Sequence, residues 1–150
     1  MQTITEANPF ARANSTNSMS SRRAPWGGRI ISGLAVAFLI FDSVGKLLQV
    51  QPVIDGTKEL GYPQDVVFSL GVILLSSVLA YLIPQTSVLG AILLTAYLGG
   101  AVATHVRVGN PLFTHVLFPT YLGVMLWGGL VLRDARLRRF LLPSRDRSRP

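Results

Sequence analysis

Four apolar segments, each about twenty residues long and separated by short polar breaks, constrain this chain more than any other feature. They run from Arg29 to Val50, Gln64 to Ile83, Ser87 to Val108 and Leu112 to Leu132. A helix rises about 1.5 Å per residue, so about twenty residues cross a hydrocarbon core about 30 Å thick. Inside lipid every backbone polar group needs a partner within a helix or a closed barrel, and the alternating pattern of barrel strands is missing. The segments therefore predict an all-α fold, a bundle of four transmembrane helices. Charge is scarce enough to agree: 14% of residues are charged, against about 25% in soluble globular chains.

The charges that remain are unevenly placed. The chain carries a net charge of +7 and a pI near 10.8, values that on their own suit a nucleic-acid binder. Met1 to Arg29 holds +3, Arg133 to Pro150 holds +5, and the hydrophobic body between them −1. A nucleic-acid module carries its basic residues on a folded face interleaved with aromatics, so no nucleic-acid partner is expected. The distribution follows the positive-inside rule instead: the tails hold 11 Lys and Arg, the Pro84–Thr86 connection none, and the other two loops only Lys58 and Arg107. Both termini are thereby expected in the cytoplasm of a cell with a plasma (inner) membrane. Trp26, Tyr81 and Trp127 fall toward the inner ends of the spans, where amphipathic rings favour the interface.

The domain reading has three parts. Residues 1–28 form a polar, basic leader without apolar periodicity and with no clean secretory signal, in which Met19 is an alternative start. Residues 29–143 form the membrane domain and 144–150 a basic tail. The stretch Arg133 to Arg139 alternates Arg with Leu and suits a short amphipathic helix on anionic lipid. With no Cys in the chain, disulfides, thiolate metal sites and dithiol redox chemistry are excluded.

Several strings taken together resemble a known family. FDSVGKL (Phe41–Leu47), ELGYP (Glu59–Pro63), LIPQTSVLGAILLTAYLGGAVATHVRVG (Leu82–Gly109), HVLFPTYLG (His115–Gly123) and LWGGLVLRDARLRRFLLP (Leu126–Pro143) are similar to the DoxX-like family of small bacterial membrane proteins. The resemblance implies a four-helix membrane bundle of the kind shared by the DoxX and DoxD group, named after a membrane subunit tied to quinone-linked sulfur oxidation. It implies no agreed catalytic residues.

Ionisable residues in a span cost about 2.5 to 3.5 kcal/mol each at a helix centre and so need a reason. Asp42 and Lys46 are four apart with the acid first, the order that favours an ion pair on one helix face. His105 and His115 flank the turn Val108–Pro111, which puts them at similar depth in an antiparallel hairpin, with Arg107 beside them. Asp42, Lys46, His105, Arg107 and His115 are therefore the candidate ligand- and proton-handling cluster in the outer half of the bundle. Each also has a plainer reading: a self-neutralised pair, a snorkelling arginine, and histidines bonded to carbonyls or interfacial water. Two histidines and Asp42 would make three ligands, but no metal-binding spacing accompanies them, so no metal is expected.

The chemical reading of the cluster is a quinone site. Quinone carbonyls accept hydrogen bonds and gain protons on reduction, and histidine, lysine and aspartate near Tyr97 or Tyr121 would supply both. No flavin, haem or dinucleotide motif is present, so electrons would come from a partner redox subunit or a bound cofactor. A small transporter or lipid-binding bundle and a structural or assembly role are the alternatives. Elsewhere, Ala96, Gly99, Gly100 and Ala103 form a small-residue stripe expected to pack inside the bundle, with dimerisation as the alternative. Gly128 and Gly129 suggest close packing, and Pro119 a kink within the fourth span.

Overall fold

The computed structural model describes residues 23–134 and 136–138. The leader up to residue 22 and the tail beyond Arg138 lie outside the described residues. Among the described residues there are four helices long and apolar enough to cross a membrane and no strand. The protein is an all-α four-helix bundle.

Helix α1 (Arg23–Leu47) begins six residues before the expected span and stops three short of its expected end. Gln49, with φ at 50°, turns the chain, and the Val50 amide bonds back to Gly45 O at 3.1 Å. A short helix follows that the hydropathy pattern did not announce, α2 (Gln51–Glu59). Pro52 sits in its first turn, where a missing N–H costs nothing, and it turns Ile54 and Thr57 inward while its charged residues stay in solvent.

Helix α3 (Asp65–Leu82) ends where Ile83 takes the extended conformation imposed by the following Pro84. The Thr86 hydroxyl caps that end by donating to Ala80 O at 2.8 Å, and α4 (Ser87–Arg107) returns across the bundle.

The fourth span comes in two pieces. Leu112–Val116 is a π-helical turn, with Val116 N–H donating to Pro111 O and Leu117 N–H to Leu112 O, and α5 (Phe118–Arg133) follows. Pro119 is therefore not a mid-span kink. It occupies the first turn of α5, and the widened turn before it absorbs the hydrogen bond proline cannot make.

The helices form a ring: α1 packs on α3 and α5, α3 on α4, and α4 on α5. Leu39, Leu74, Val78, Tyr81, Leu94 and Leu126 meet in the centre. Only 28 to 33% of each span is buried, and Leu34, Ile73, Ile92 and Val124 face outward, as lipid-exposed helices do. The buried hydroxyls of Ser32, Ser77 and Thr104 donate to carbonyls one turn back in their own helices. Among the described residues no buried side-chain polar atom lacks a partner, which lipid requires.

Close helix contact depends on particular glycines. A Cβ on Gly90 would lie 2.2 Å from Tyr81 N, so the α3–α4 hairpin closes only on a bare backbone. A Cβ on Gly129 would meet Ser32 Cβ at 2.5 Å and Gly28 O at 2.7 Å, which sets the α1–α5 crossing. The expected stripe behaves otherwise. Ala96, Gly99, Gly100 and Ala103 are exposed, and Gly99, Gly100 and Gly128 have open space where a Cβ would be. Four-residue spacing identifies a face of α4 but not the neighbour it meets, and Gly90, Ala91, Leu94 and Leu98 make up the inward face instead.

Tyr81 also departs from expectation. It is wholly buried rather than interfacial, and its hydroxyl crosses the bundle to donate to Leu126 O at 2.8 Å, with the Arg133 guanidinium 4.7 Å from its ring centre. Gly28 lies against Leu132 and Gly129, so the first and last spans have their outer-chain ends on the same side of the bundle.

These contacts predict different responses from two glycines of the same helix. Gly90→Leu forces backbone apart in a filled interior and should cost about 1 to 3 kcal/mol or more, whereas Gly99→Leu should leave stability nearly unchanged. Thermal melting of both variants in the same detergent checks this.

Candidate functional site

The site begins with one helix face. Asp42 and Lys46 occupy successive turns near the C-terminal end of α1, and Lys46 Nζ donates to Asp42 Oδ1 at 2.5 Å. Their side chains are only 30% and 12% exposed. Lys46 cannot move freely, because its Cβ lies where a Cβ on Gly71 of α3 would be, 2.9 Å away. The glycine lets α3 press on α1 at this point and holds the pair at the α1–α3 seam. An ammonium group has three donors, and the carboxylate occupies one of them.

The second component comes from α4. Tyr97 is half-buried and packs against the core. Thr104 lies seven residues further along, which on a helix returns to nearly the same face. Its hydroxyl donates to Gly100 O at 2.9 Å and so accepts from the Tyr62 hydroxyl at 2.8 Å. Tyr62 therefore bridges the segment after α2 to the face of α4 that carries Tyr97.

Arg107 fixes that bridge. Its Nη2 donates to Leu60 O at 2.7 Å and its guanidinium carbon lies 5.8 Å from the Tyr62 ring centre. Gly61, at φ 83°, brings the loop within 3.1 Å of the guanidinium measured from where a Cβ would stand. The arginine is a clasp between loop and helix rather than a free charge reaching for headgroups.

The histidines make a separate group. The rings of His105 and His115 stand edge to face with centres 5.8 Å apart. Asn110 Nδ2 bonds His105 Nδ1 at 2.8 Å, and Thr114 Oγ1 bonds His115 Nδ1 at the same distance. Among the described residues no hydrogen bond or ion pair joins this pair to Asp42 and Lys46, and no three His, Asp or Glu side chains converge as a metal set. Tyr121 is exposed on α5 and belongs to neither group.

The five candidate residues thus resolve into an ion pair, a clasp and a histidine pair. The sequence reading missed Tyr62, Thr104 and Asn110. Tyr62 stood in the ELGYP string and Thr104 at heptad spacing from Tyr97, but their contact spans 42 residues, which no local pattern reveals.

A groove of about 320 Å³ lies between α4 and α5, lined by Thr95, Leu98, Gly99, Val102, Gly123 and Trp127 among others. Trp127 Nε1 donates to Thr95 Oγ1 at 2.9 Å. At about 100° per residue, Thr95 and Tyr97 point to opposite sides of α4, so the groove and the Asp42 site are distinct.

A comparison with protein-family models matches residues 30–129 to the DoxX-like family. No curated protein and no solved structure matches the chain.

The clasp makes a prediction about dynamics. Arg107→Ala should raise amide exchange at Leu60, Gly61 and Tyr62 by about tenfold or more while leaving the centres of α3 and α4 protected. Hydrogen exchange read by mass spectrometry gives the answer; unchanged exchange in the loop would show that Arg107 holds nothing there.

Proposed function

The chain belongs to the DoxX-like family, and on that premise we propose that this multi-pass membrane protein is the membrane component of a quinone-linked oxidoreductase system in the bacterial inner membrane. The observation that carries the reading is the Asp42–Lys46 pair, held at the α1–α3 seam. An ion pair within a span is expensive to keep and is often replaceable by apolar packing. Its retention is best accounted for by a ligand with hydrogen-bonding oxygens.

A quinone headgroup has that character. Lys46 N–H and Tyr97 O–H would each donate to a carbonyl, and Asp42 would hold the ammonium in place. Reduction to the hydroquinone consumes two electrons and two protons. The electrons would come from a partner redox subunit, since the chain carries no motif for an electron-carrying cofactor, and the protons would be relayed through Lys46 and Asp42 from the outer aqueous face. Tyr62, clasped by Arg107, would close the site from that side. The α4–α5 groove favours a second reading, a lipid-binding bundle, in which an acyl chain rather than a headgroup is the bound feature.

In the proposed orientation both termini are cytoplasmic, with Arg29, Arg136 and Arg138, all exposed, set against anionic lipid. The absence of native cysteine makes the test direct. In intact cells a membrane-impermeant thiol reagent should label Asp55→Cys and spare Gln85→Cys, and the opposite pattern would reverse the topology.

For the ligand, the purified protein should yield quinone on organic extraction and mass analysis. Lys46→Met and Tyr97→Phe should lower the retained amount by about tenfold, while Trp127→Phe in the groove should not. Phospholipid alone in the extract, or equal quinone in all variants, would favour the lipid-binding reading.

A further inference from the structure

We propose that His105 and His115 form a two-imidazole site for a divalent first-row transition-metal ion at the outer end of the α4–α5 hairpin. Imidazole nitrogen is a good ligand for copper, zinc and nickel. The inference rests on this ring pair and not on the quinone reading.

The geometry of the turn is the first support. Between α4 and α5 the backbone uses wide hydrogen bonds that span five residues: Asn110 N–H to His105 O, Val116 N–H to Pro111 O, and Leu117 N–H to Leu112 O. Such π turns are rare and concentrate at functional sites. A single α-helical residue rotates a side chain by about 100°, so the extra residue in the turn decides whether His115 meets His105 or points away from α4. With it, the ring centres come to 5.8 Å. Two imidazoles on one tetrahedral ion, each with a metal–nitrogen bond of about 2.0 to 2.1 Å, have centres about 5 Å apart, so a modest ring rotation closes the site.

The orientation of the rings is the second support. Both Nδ1 atoms already have partners, Asn110 for His105 and Thr114 for His115. Each Nε2 therefore remains without a protein partner among the described residues. Metal-bound histidines are held in this manner, with the second ring nitrogen bonded to a side chain or carbonyl that fixes the ring. Asn110 can present either end of its amide, so it can accept from Nδ1–H when Nε2 is the ligand. Arg107, two residues beyond His105, directs its guanidinium to Leu60 and Tyr62.

The composition makes the test unambiguous. These are the chain's two histidines, and it has no cysteine, so imidazole ligation can come from no other residue. The full chain, purified on a tag without histidine and placed in lipid nanodiscs, is titrated with Cu²⁺ near neutral pH and read by pulsed electron paramagnetic resonance. The expected result is one tightly bound Cu²⁺ whose echo modulation counts two imidazoles, with Zn²⁺ competing only weakly for the same site. His105→Gln and His115→Gln should each reduce the count to one and weaken binding by about tenfold or more, with melting temperatures confirming folded protein. A wild-type spectrum with one imidazole or none overturns the proposal without reference to any variant. Equal affinity in wild type and both variants overturns it as well.

Discussion

Lipid tails are as apolar as leucine, so helices in a membrane gain little from burying apolar surface and associate through close packing and hydrogen bonds. This bundle depends on places where two backbones touch. Gly90 seats α4 on the backbone of Tyr81, and Gly129 and Gly28 seat α5 on α1, each leaving less space than one methyl group would need. Once those contacts are made, the remaining features have little freedom. The Tyr81 hydroxyl reaches Leu126 O across the bundle, and the buried serine and threonine hydroxyls are satisfied within their own helices.

The same kind of contact, repeated at Gly71, connects packing to chemistry. Because α3 lacks a side chain there, the start of the Lys46 side chain is pressed into the α1–α3 seam, and its ammonium group has Asp42 within reach one turn back. Tyr97 and Thr104 share a face of α4, and Tyr62 comes down on Thr104 because Arg107 holds its loop. The polar groups at this end of the bundle are thus placed by helix register and one clasp. On the other flank of α4, the histidine pair is placed by the width of a single turn.

Much of this was legible in the residues alone, for reasons that also explain the misses. Spans are set by length and lack of charge, both local properties, and so the four helices were readable. The Asp42–Lys46 pair follows from four-residue spacing, and the nearness of His105 and His115 from the geometry of a hairpin. Helix α2 is not readable, because nine largely polar residues give no membrane signal and it is tied to the bundle by Val53 beside Gly45 of α1 and by burial of Ile54. The stripe of Ala96, Gly99, Gly100 and Ala103 suits an inward face by its spacing but is exposed, because small residues permit close contact without requiring it. Pro119 within an apolar span suggests a kink, but proline is equally at home in a first turn, and only the π turn before it decides between the two. The Tyr62–Thr104 contact depends on how a loop folds back over the bundle.

Covalent mapping with a reactive quinone distinguishes a headgroup site formed by Asp42, Lys46 and Tyr97 from binding elsewhere on the bundle. A short-tailed azidoquinone photolysed in membranes containing the full chain, followed by peptide mass analysis, should label the outer end of α1 around Asp42 to Lys46 and the segment of α4 around Tyr97. Excess unlabelled quinone should suppress that labelling. Label confined to the α4–α5 groove around Thr95 and Trp127, or label that unlabelled quinone does not suppress, would contradict the account.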